Sequence, residues 1–506
     1  MNFYINDIRV TCYGSLNIKI LMVIEQISGK ECKMNQEKIP QPSIKLPIVG
    51  HLLYLQHNIQ KSFVNLSSKL GPIYRLKLGP TNVVVVSGLE IIREVCDESR
   101  FTKDLGLVAS SLKDTVGATF GLLLSDDPMW AKLYRIILPK LQQKALQEDY
   151  FPIMKNVLEQ LFKKWESLFE KKEVRLDDEL SRVVIDIVGL CEFDYHFNAI
   201  VSEKPNPLFK VVEELFQYIA IGTFLNKFLN RLRFQGHKKF QHNLSILKNY
   251  TADILENRKK HILNPNKDLL YSLLQEVDKV TGEKFNDTIL RDQICGILLG
   301  SVGSSSSLLI LAFYTLLTHP IVLEKAYAEV DHVLGTDLNS PLSAKSFTKL
   351  VYISQILNEC LRLWPPSFIE RKPIEDTLLD GKYLLKKGEH IWLTIAMIHK
   401  DKAIWGKDAD SFNPDRFAPE LVARRDPYAF LPFGSGKRSC TGRQFALYLT
   451  TIALSMILQR YKLHLLPLQK FDEMSITSET PPTLWVTLEK RRHEKPIQEY
   501  HPNKDR

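Results

Sequence analysis

The chain has 506 residues, a hydrophobic fraction of 44% and a formal net charge of +9. This apolar content supports a large core. The charge is mild for the size, and it suits a basic docking face for an acidic redox partner or a membrane surface. No stretch resembles a nucleic-acid-binding module, so we expect no nucleic-acid partner. The seven cysteines are scattered and lack C-x-x-C spacing, which argues against a disulfide framework or zinc site and for a reducing compartment.

The first 38 residues contain no clear transmembrane anchor. The apolar patch 20–24 is bracketed by Lys19 and Glu25, whereas a membrane span needs about 20 apolar residues. We expect residues 1–38 to be a poorly ordered or weakly peripheral extension. The protein is expected to be cytoplasmic, with at most peripheral membrane contact.

The remaining chain predicts mostly helices. An alternating run, Gly79-Pro80 and four valines predict a β-hairpin over residues 72–86. Strand patterns return near 383–385 and 390–394, and a polar tail covers 495–506. Helices are predicted over 88–97, 128–144, 151–170, 177–191, 206–222, 236–262, 286–318, 321–333, 346–363 and 441–461, with short strands near 484–488. This order predicts a mainly α (α+β) fold with one small sheet, in one domain over residues 39–494.

An uncharged run over residues 293–318 contains three glycines and four consecutive serines. Its length is close to that of a membrane span. Because the chain shows no other candidate span, a buried core helix explains it better.

A glycine-rich loop near the C-terminus carries one cysteine. Phe433, Gly436, Arg438, Cys440 and Gly442 fit the pattern F-x-x-G-x-R-x-C-x-G. The glycines permit a tight turn, in which backbone N–H groups can donate to a cysteine sulfur and tune a metal. The phenyl ring can cover the sulfur, and the guanidinium fork suits a carboxylate. The alternative interpretation is a buried structural cysteine beside a turn.

This loop resembles the haem-ligating loop of the cytochrome P450 superfamily, the haem-thiolate monooxygenases. The similarity covers roughly residues 45–490 and is greatest to the haem domain of bacterial self-sufficient fatty-acid hydroxylases. Local matches include 96–101, 189–198, 358–365 and 401–406. The resemblance implies the P450 fold, with a long central helix over the haem, and haem b with an axial thiolate from Cys440. It also implies a lipophilic substrate, O2 as co-substrate and a lipid-hydroxylating, oxidoreductase activity.

Three charged residues complete the resemblance on the side of the cysteine. Glu359 and Arg362 stand three positions apart on a predicted helix, which places both charges on one face. Arg416 follows on a proline-bent loop. In the family such a trio forms a buried ion network behind the cysteine loop. Because buried charges are tolerated only when they are paired, we expect this network to hold the loop's shape.

Other residues match haem-binding positions of the family. Trp130, on a helix beginning near Asp127-Pro128, matches a donor to a haem propionate. Lys103 matches a further lysine on the propionate side, with a solvated surface lysine as the alternative. Arg371 is another candidate propionate partner, and Arg438 of the cysteine loop is placed to pair with a haem propionate.

The predicted distal helix departs from the family. Where the family usually has an acid followed by threonine, this chain has Gly303 and Ser304. The acid–alcohol pair helps to deliver protons to dioxygen. One interpretation is that Ser304 or Ser305, with ordered water, still relays protons in a monooxygenase; the helix could also open into a bulge or water chain at these poor helix formers. The other is a reductase-independent isomerase or peroxygenase that acts on a hydroperoxide. A third possibility is a non-catalytic haem-binding homologue.

The substrate end and the electron supply also differ. Thr81 and Val85 align with an arginine and a tyrosine that hold the fatty-acid carboxylate in the related hydroxylases, and Gly121 aligns with a bulky phenylalanine. A neutral lipid or polycyclic substrate is therefore as open as a fatty acid. No Rossmann fingerprint for a flavin or nicotinamide domain is present, so we expect electrons from a separate flavoprotein reductase or ferredoxin.

Overall fold

The structure is a computed structural model that describes residues 2–5, 8–11, 37–55, 59–117, 127–167, 173–224, 234–261, 268–275, 277, 280, 282–365, 368–467, 469, 471, 476–478 and 480–491. It forms two compact units. The first is built from residues 1–106, 367–398 and 435–437, and the second from residues 107–366, 399–434 and 438–506. Because each unit gathers distant segments, no linker in the sequence marks a boundary.

The elements are numbered in chain order over the described residues. The strands are β1 Asn2–Ile5, β2 Ile8–Thr11, β3 Ile73–Leu78, β4 Thr81–Val86, β5 Phe101–Lys103, β6 Glu173–Arg175, β7 Ile369–Pro373, β8 Thr377–Leu379, β9 Tyr383–Leu385, β10 His390–Leu393, β11 Tyr461–Leu465 and β12 Trp485–Lys490. The α-helices are α1 Ile59–Leu70, α2 Leu89–Val95, α3 Gly106–Val116, α4 Pro128–Ile137, α5 Gln143–Ala145, α6 Phe151–Ser167, α7 Leu176–Phe193, α8 Leu208–Phe224, α9 Phe234–Lys260, α10 Leu269–Gln275, α11 Asp287–Thr318, α12 Pro320–Leu334, α13 Val351–Leu363, α14 Ile395–His399, α15 Lys402–Trp405, α16 Pro419–Arg424 and α17 Arg443–Arg460.

The first unit contains a mixed sheet in the order β3-β4-β10-β7-β5. The predicted hairpin is confirmed, since β3 and β4 pair antiparallel with Ile73 opposite Val86. The four valines of β4 are fully buried, as expected for a strand covered on both faces. β10 pairs parallel with β4 and antiparallel with β7. Separate antiparallel pairs join β1 to β2, within the predicted N-terminal extension, and β8 to β9.

The second unit is built around α11. The Asn286 side chain caps this helix by accepting from the Ile289 N–H at 3.0 Å. Helices α7, α9, α13 and α17 pack against α11. By length and hydropathy it could also span a membrane, but its second half, from Ser305 to Leu316, is buried. The expectation of a buried core helix is therefore confirmed.

A smaller sheet of the second unit has the order β11-β12-β6. β11 follows α17 directly, and all of its residues pair with β12 from Tyr461 opposite Lys490 to Leu465 opposite Val486. The mainly helical α+β class is thus confirmed, although the strands form several small sheets instead of one.

Two predicted helices end earlier or divide. The helix predicted over 128–144 ends at Ile137, where the chain tightens into the 3-10 turn Leu138–Leu141 at Pro139. The helix predicted over 346–363 divides into the 3-10 turn Ser346–Lys349 and α13. The carboxylate of Glu329 accepts from the N–H groups of Tyr352 and Ile353 at 2.6 and 2.8 Å. A contact between distant segments therefore starts α13, and local periodicity does not reveal it.

Candidate functional site

Cys440 lies on a tight loop that ends at α17. Gly434 and Gly436 have φ of +76° and +71°, a region that favours glycine. Within the second unit, the Cys440 N–H donates to the carbonyl oxygen of Phe433 at 2.8 Å, and the Gly434 N–H donates to the carbonyl oxygen of Leu431 at 3.1 Å. These two bonds fold the motif back on itself.

Cys440 is exposed, whereas the other described cysteines of the second unit are buried: Cys191, Cys295 and Cys360. Burial raises the pKa of the Cys360 thiol to about 12 and holds that thiol in its protonated form. An exposed sulfur on a glycine turn is the arrangement expected of a metal ligand instead of a core side chain.

The sequence suggested that Gly442, like the other glycines of the motif, permits the tight turn, but the turn does not need a glycine at this position. Its φ of −77° is open to any residue, so no glycine is needed for backbone conformation. A Cβ added at Gly442 would lie 3.9 Å from the sulfur of Cys440. Gly442 therefore keeps the space beside the sulfur free of a side chain.

The middle of the loop, residues 435–437, belongs to the first unit. Glu98 accepts from the Lys437 N–H at 2.8 Å, and a Cβ added at Gly436 would lie 2.0 Å from a carboxylate oxygen of Glu98. Gly436 is thus required by both its φ and its surroundings. The guanidinium of Arg371, predicted as a propionate partner, donates to the carbonyl oxygen of Ser435 at 3.1 Å.

Lys103 ends β5, opposite Arg371 of β7. Its charge acts on the buried carboxyl of Glu370, whose pKa is raised to about 8, first by burial and then by the negative charge of Asp104. The Trp392 indole donates to Glu370 at 3.2 Å. In the first unit Lys103 therefore belongs to a buried acidic cluster, and its match to a propionate-side lysine stays a prediction.

Trp130 lies on α4 of the second unit. The helix begins where the sequence predicts, because the Asp127 side chain accepts from the Met129 N–H at 2.9 Å. The ring of Tyr134 lies 5.2 Å from that of Trp130. The guanidinium carbon of Arg438 lies 4.6 Å from the centroid of the Trp130 ring, which is a cation–π contact. The structure therefore brings together two of the residues predicted to hold propionates.

Glu359 and Arg362 form a fully buried ion pair on α13. Arg362 is bidentate, since Nε and Nη2 donate to the two carboxylate oxygens of Glu359 at 2.7 and 2.8 Å. Its Nη1 also donates to the carbonyl oxygens of His399 and Ala409 at 2.8 and 2.6 Å. Such complete pairing is the condition under which buried charges are stable.

Arg416 joins this pair, as the sequence predicted for its position. Its Nε lies 3.5 Å from Oε1 of Glu359, close enough for an ion pair but without hydrogen-bond geometry. Its other nitrogens donate to the carbonyl oxygens of Trp405 and Asp408. The role of this network in holding the cysteine loop stays a prediction.

Sequence reasoning missed two residues around this network. Arg425 donates to the carbonyl oxygen of Arg416 at 2.6 Å, and its guanidinium carbon lies 4.1 Å from the Trp405 ring centroid. The His399 ring accepts from the Leu431 N–H at 3.0 Å. Neither belongs to a charge pattern along the chain, so only their packing reveals them.

The predicted distal segment is a continuous helix, without the bulge that could have opened at Gly303. The hydroxyl of Ser304 donates to the carbonyl oxygen of Gly300 at 2.6 Å, which keeps it within the helix. Gly300 and Ser304 are exposed, and Gly303 is partly exposed. The side chain of Ser305 is buried, and its hydroxyl has no hydrogen-bond partner among the described residues. Of the two candidate serines, only Ser304 lies on the exposed side of α11.

These features of the second unit fit a haem. Cys440 offers an exposed sulfur as a ligand, and Trp130 with Arg438 offers N–H donors for carboxylates. Between residues 292 and 317 the exposed residues of α11 are Gly300 and Ser304, whose small side chains allow a flat ring to approach the helix. A Cβ added at Gly300 would meet no atom of the described residues within 4 Å, although α11 is otherwise largely buried.

Comparison with known proteins agrees with this fit. The family model "Cytochrome P450" matches residues 40–488. A bifunctional cytochrome P450/NADPH–P450 reductase of Bacillus cereus is 35% identical over 430 residues, which are 84% of this chain and 40% of that protein. A counterpart in Bacillus subtilis is 34% identical over 84% of this chain and 40% of its own length. A self-sufficient cytochrome P450 monooxygenase of Aspergillus niger is 31% identical over 84% of this chain and 39% of its own.

The chain thus spans about 40% of the length of the bacterial relatives it matches. Proteins of the matched family carry haem with a cysteine thiolate as axial ligand. Since the family model covers most of the chain and several relatives exceed 30% identity, this chain belongs to the cytochrome P450 family.

Proposed function

We propose that this protein is a haem-dependent monooxygenase that inserts one atom of O2 into a lipophilic substrate, with Cys440 as the axial ligand. The observation that carries the proposal is the exposed sulfur of Cys440 on a loop closed by the bond from its own N–H to Phe433. When bound, haem supplies the iron at which dioxygen is activated, and a thiolate ligand favours O–O cleavage.

Other residues of the chain are assigned supporting roles at the haem site. The carbonyl oxygen of Phe433 accepts from the N–H of Cys440, and the guanidinium carbon of Arg443 is 5.6 Å from the Phe433 ring centroid. Trp130 and Arg438 are assigned to hold propionates. Glu359, Arg362 and Arg416 stabilise the segments behind the loop. The fully buried, bidentate ion pair of Glu359 and Arg362, which Arg416 joins, favours a functioning haem protein over a non-catalytic homologue.

A second function is favoured by one observation, the absence of a carboxylate at Gly303. In that alternative, the protein is a reductase-independent isomerase or peroxygenase acting on a hydroperoxide, which needs no proton relay. In the favoured function Ser304 is the residue assigned to pass protons, because its hydroxyl lies on the exposed side of α11. Ser305 is buried, so it would have to act through a water that reaches the helix interior.

The test of haem-thiolate ligation is the spectrum of the reduced, CO-bound protein. We expect a Soret band far to the red of that of a histidine-ligated haem, and its loss in Cys440→Ser. Cys295→Ser, at a buried cysteine of the same unit, is the control and should keep the band. Folded, haem-loaded wild type without this band would contradict the proposal.

Restoring a carboxylate on α11 tests the proton relay. Gly303→Asp should raise the amount of product formed per electron consumed, because a carboxylate beside Ser304 can deliver protons. Among the residues that the structure describes, a Cβ at Gly303 would contact only Val212, at 3.4 Å, so the variant should fold. Gly303→Asn, which has the same shape without the acid, is the matched control. Equal coupling in both variants would count against the relay.

The substrate class is proposed to be lipophilic, either a fatty acid or a neutral lipid or polycycle. Val85 is fully buried in β4 and cannot hold a carboxylate, while Gly121 lies outside the described residues. The buried Val85 favours a substrate that does not bind to β4 through a carboxylate. Titration of the haem-loaded protein with fatty acids and neutral lipids, read as the spin-state change of the iron, tests it. Absence of a response to every chain length would remove fatty acids.

Electrons are proposed to come from a flavoprotein reductase or ferredoxin, and the expectation that this donor is a separate protein stays a prediction. Turnover with NADPH and an added reductase would support the monooxygenase. Turnover with a hydroperoxide alone, and none with reductase, would support the alternative function.

A further inference from the structure

His399, which the sequence analysis did not single out, connects the buried ion network to the cysteine loop within the second unit. It is the last residue of α14 and is fully buried. Its carbonyl oxygen accepts from Nη1 of Arg362 at 2.8 Å. Its ring nitrogen Nε2 accepts from the Leu431 N–H at 3.0 Å. One residue thus contacts the network through its main chain and the segment before the loop through its side chain.

Leu431 begins the turn that carries the ligand. Its carbonyl oxygen accepts from the Gly434 N–H at 3.1 Å, and the carbonyl oxygen of Phe433 accepts from the Cys440 N–H at 2.8 Å. A continuous series of hydrogen bonds therefore runs from Arg362 through His399 and Leu431 to Cys440. A shift of Leu431 would therefore displace Cys440 through these two hydrogen bonds of the short loop.

The His399 ring is held in place from several sides. Its centroid lies 5.1 Å from that of Phe430 and 6.5 Å from that of Trp405. Burial, followed by the charge of Arg362, lowers the pKa of His399 to about 3. The ring therefore stays neutral, with its proton on Nδ1 and a lone pair on Nε2. A buried backbone N–H that loses its acceptor destabilises the folded chain, and Leu431 is buried, so its N–H depends on this lone pair.

We propose that His399 is a positioning residue for the haem ligand: through its acceptor bond to Leu431 it sets the loop on which Cys440 meets the iron. The proposal rests on the proposed function, because it takes Cys440 as the axial ligand. His399 also joins the loop to Arg362 through its carbonyl oxygen, and through Arg362 to Glu359, which gives those charges a route by which to influence the sulfur.

The chain offers a matched control in His51. It is also buried, and its ring Nδ1 accepts from the Lys77 N–H at 2.9 Å within the first unit. Burial lowers its pKa as well. Loss of this bond in His51→Phe should cost similar stability without touching the segment that leads to Cys440.

The experiment compares His399→Phe, His399→Gln and His51→Phe with wild type. Two properties of the loaded protein are measured: the fraction of the reduced, CO-bound form that shows the thiolate Soret band, and the midpoint potential of the haem iron. We expect His399→Phe to lose several-fold more of the thiolate form than His51→Phe and to shift the potential. His399→Gln should recover both properties in part, since its amide oxygen can accept from Leu431.

The proposal would be overturned if His399→Phe kept the wild-type thiolate band and midpoint potential and was destabilised only as much as His51→Phe. If His399→Phe does not fold, His399→Gln decides, with hydrogen exchange of the Leu431 amide measured beside the spectrum. Faster exchange with an unchanged thiolate signature would overturn positioning, and faster exchange with a shifted potential would support it. A wild type without the thiolate band would instead contradict the proposed function.

Discussion

Glu359→Ala is expected to lower the free energy of unfolding by about 3–5 kcal/mol, because it leaves the Arg362 guanidinium buried without its counter-charge. Both residues are fully buried, so water cannot replace the lost carboxylate. The main-chain N–H of Asn413 also donates to Glu359, at 2.8 Å, and would lose its acceptor. The measurement is denaturant unfolding of the haem-loaded protein, with haem retention recorded on the same samples.

A surface pair with the same spacing provides the control for this change. Glu90 and Arg93 form an ion pair three positions apart on α2, with 78% and 43% of their side chains exposed. Exposed pairs contribute about 1 kcal/mol or less, so Glu90→Ala should unfold almost like wild type and keep its haem. Similar losses in the two variants would show that burial of the Glu359 pair is not the cause.

We also expect that Glu192→Met makes the protein more stable, most of all at alkaline pH. Glu192 lies on α7 and is 2% exposed, and its Oε2 makes no hydrogen bond to any described residue. Asp268, whose charge acts on Glu192, is itself paired with Arg258, whose Nη2 lies 2.7 Å from it. Methionine has a similar shape without the polar group, and removal of an unsatisfied buried group is worth on the order of 1–3 kcal/mol.

The pH dependence of this effect follows from the raised pKa of Glu192. Burial, and then the negative charge of Asp268, raise that pKa from 4.5 to about 8. Between these two values the native state holds the proton and the unfolded state does not. Wild-type stability therefore falls as pH rises, by up to about 1.4 kcal/mol per pH unit, and the loss is complete above the folded pKa.

Urea unfolding of wild type and Glu192→Met at pH 5, 6.5, 8 and 9, values chosen around the two pKa values, measures this effect. The stability difference between the two proteins should widen up to about pH 8 and then stay constant. Glu159→Met, at a glutamate of α6 whose side chain is 42% exposed, is the control and should show no such widening. A difference that is the same at every pH would mean that Glu192 is ionised in the native state.

In the proposed haem site, the side of Cys440 is supported by more contacts than the side of α11. On the side of Cys440, the loop, the ion network and His399 form a connected set of hydrogen bonds with buried, paired charges. On α11 the exposed residues between 292 and 317 are Gly300 and Ser304, and the Ser304 hydroxyl is already bonded to Gly300. The thiolate chemistry is therefore well supported by the structure, while the source of protons separates the two candidate functions.

Residues close together in the sequence were predicted well. The loop from Phe433 to Gly442, the hairpin of β3 and β4, and the pairing of Glu359 with Arg362 depend on spacing along a turn, a strand or a helix. The long apolar run predicted the core helix α11. In each case the physical cause is local: backbone geometry, side-chain alternation or the face of a helix, all of which can be read from a short stretch of chain.

The features that only the tertiary structure decided are contacts between segments that lie far apart in the sequence. Arg371 meets Ser435, Glu98 fills the space beside Gly436, and His399 accepts from Leu431; no spacing rule connects these residues. Packing also separates Ser304 from Ser305, neighbours in the chain, into an exposed and a buried hydroxyl. The sequence thus determined that Cys440 sits on a haem-ligating type of loop. The packed chain determined which distant side chains hold that loop, because hydrogen-bond partners and burial are set by the fold.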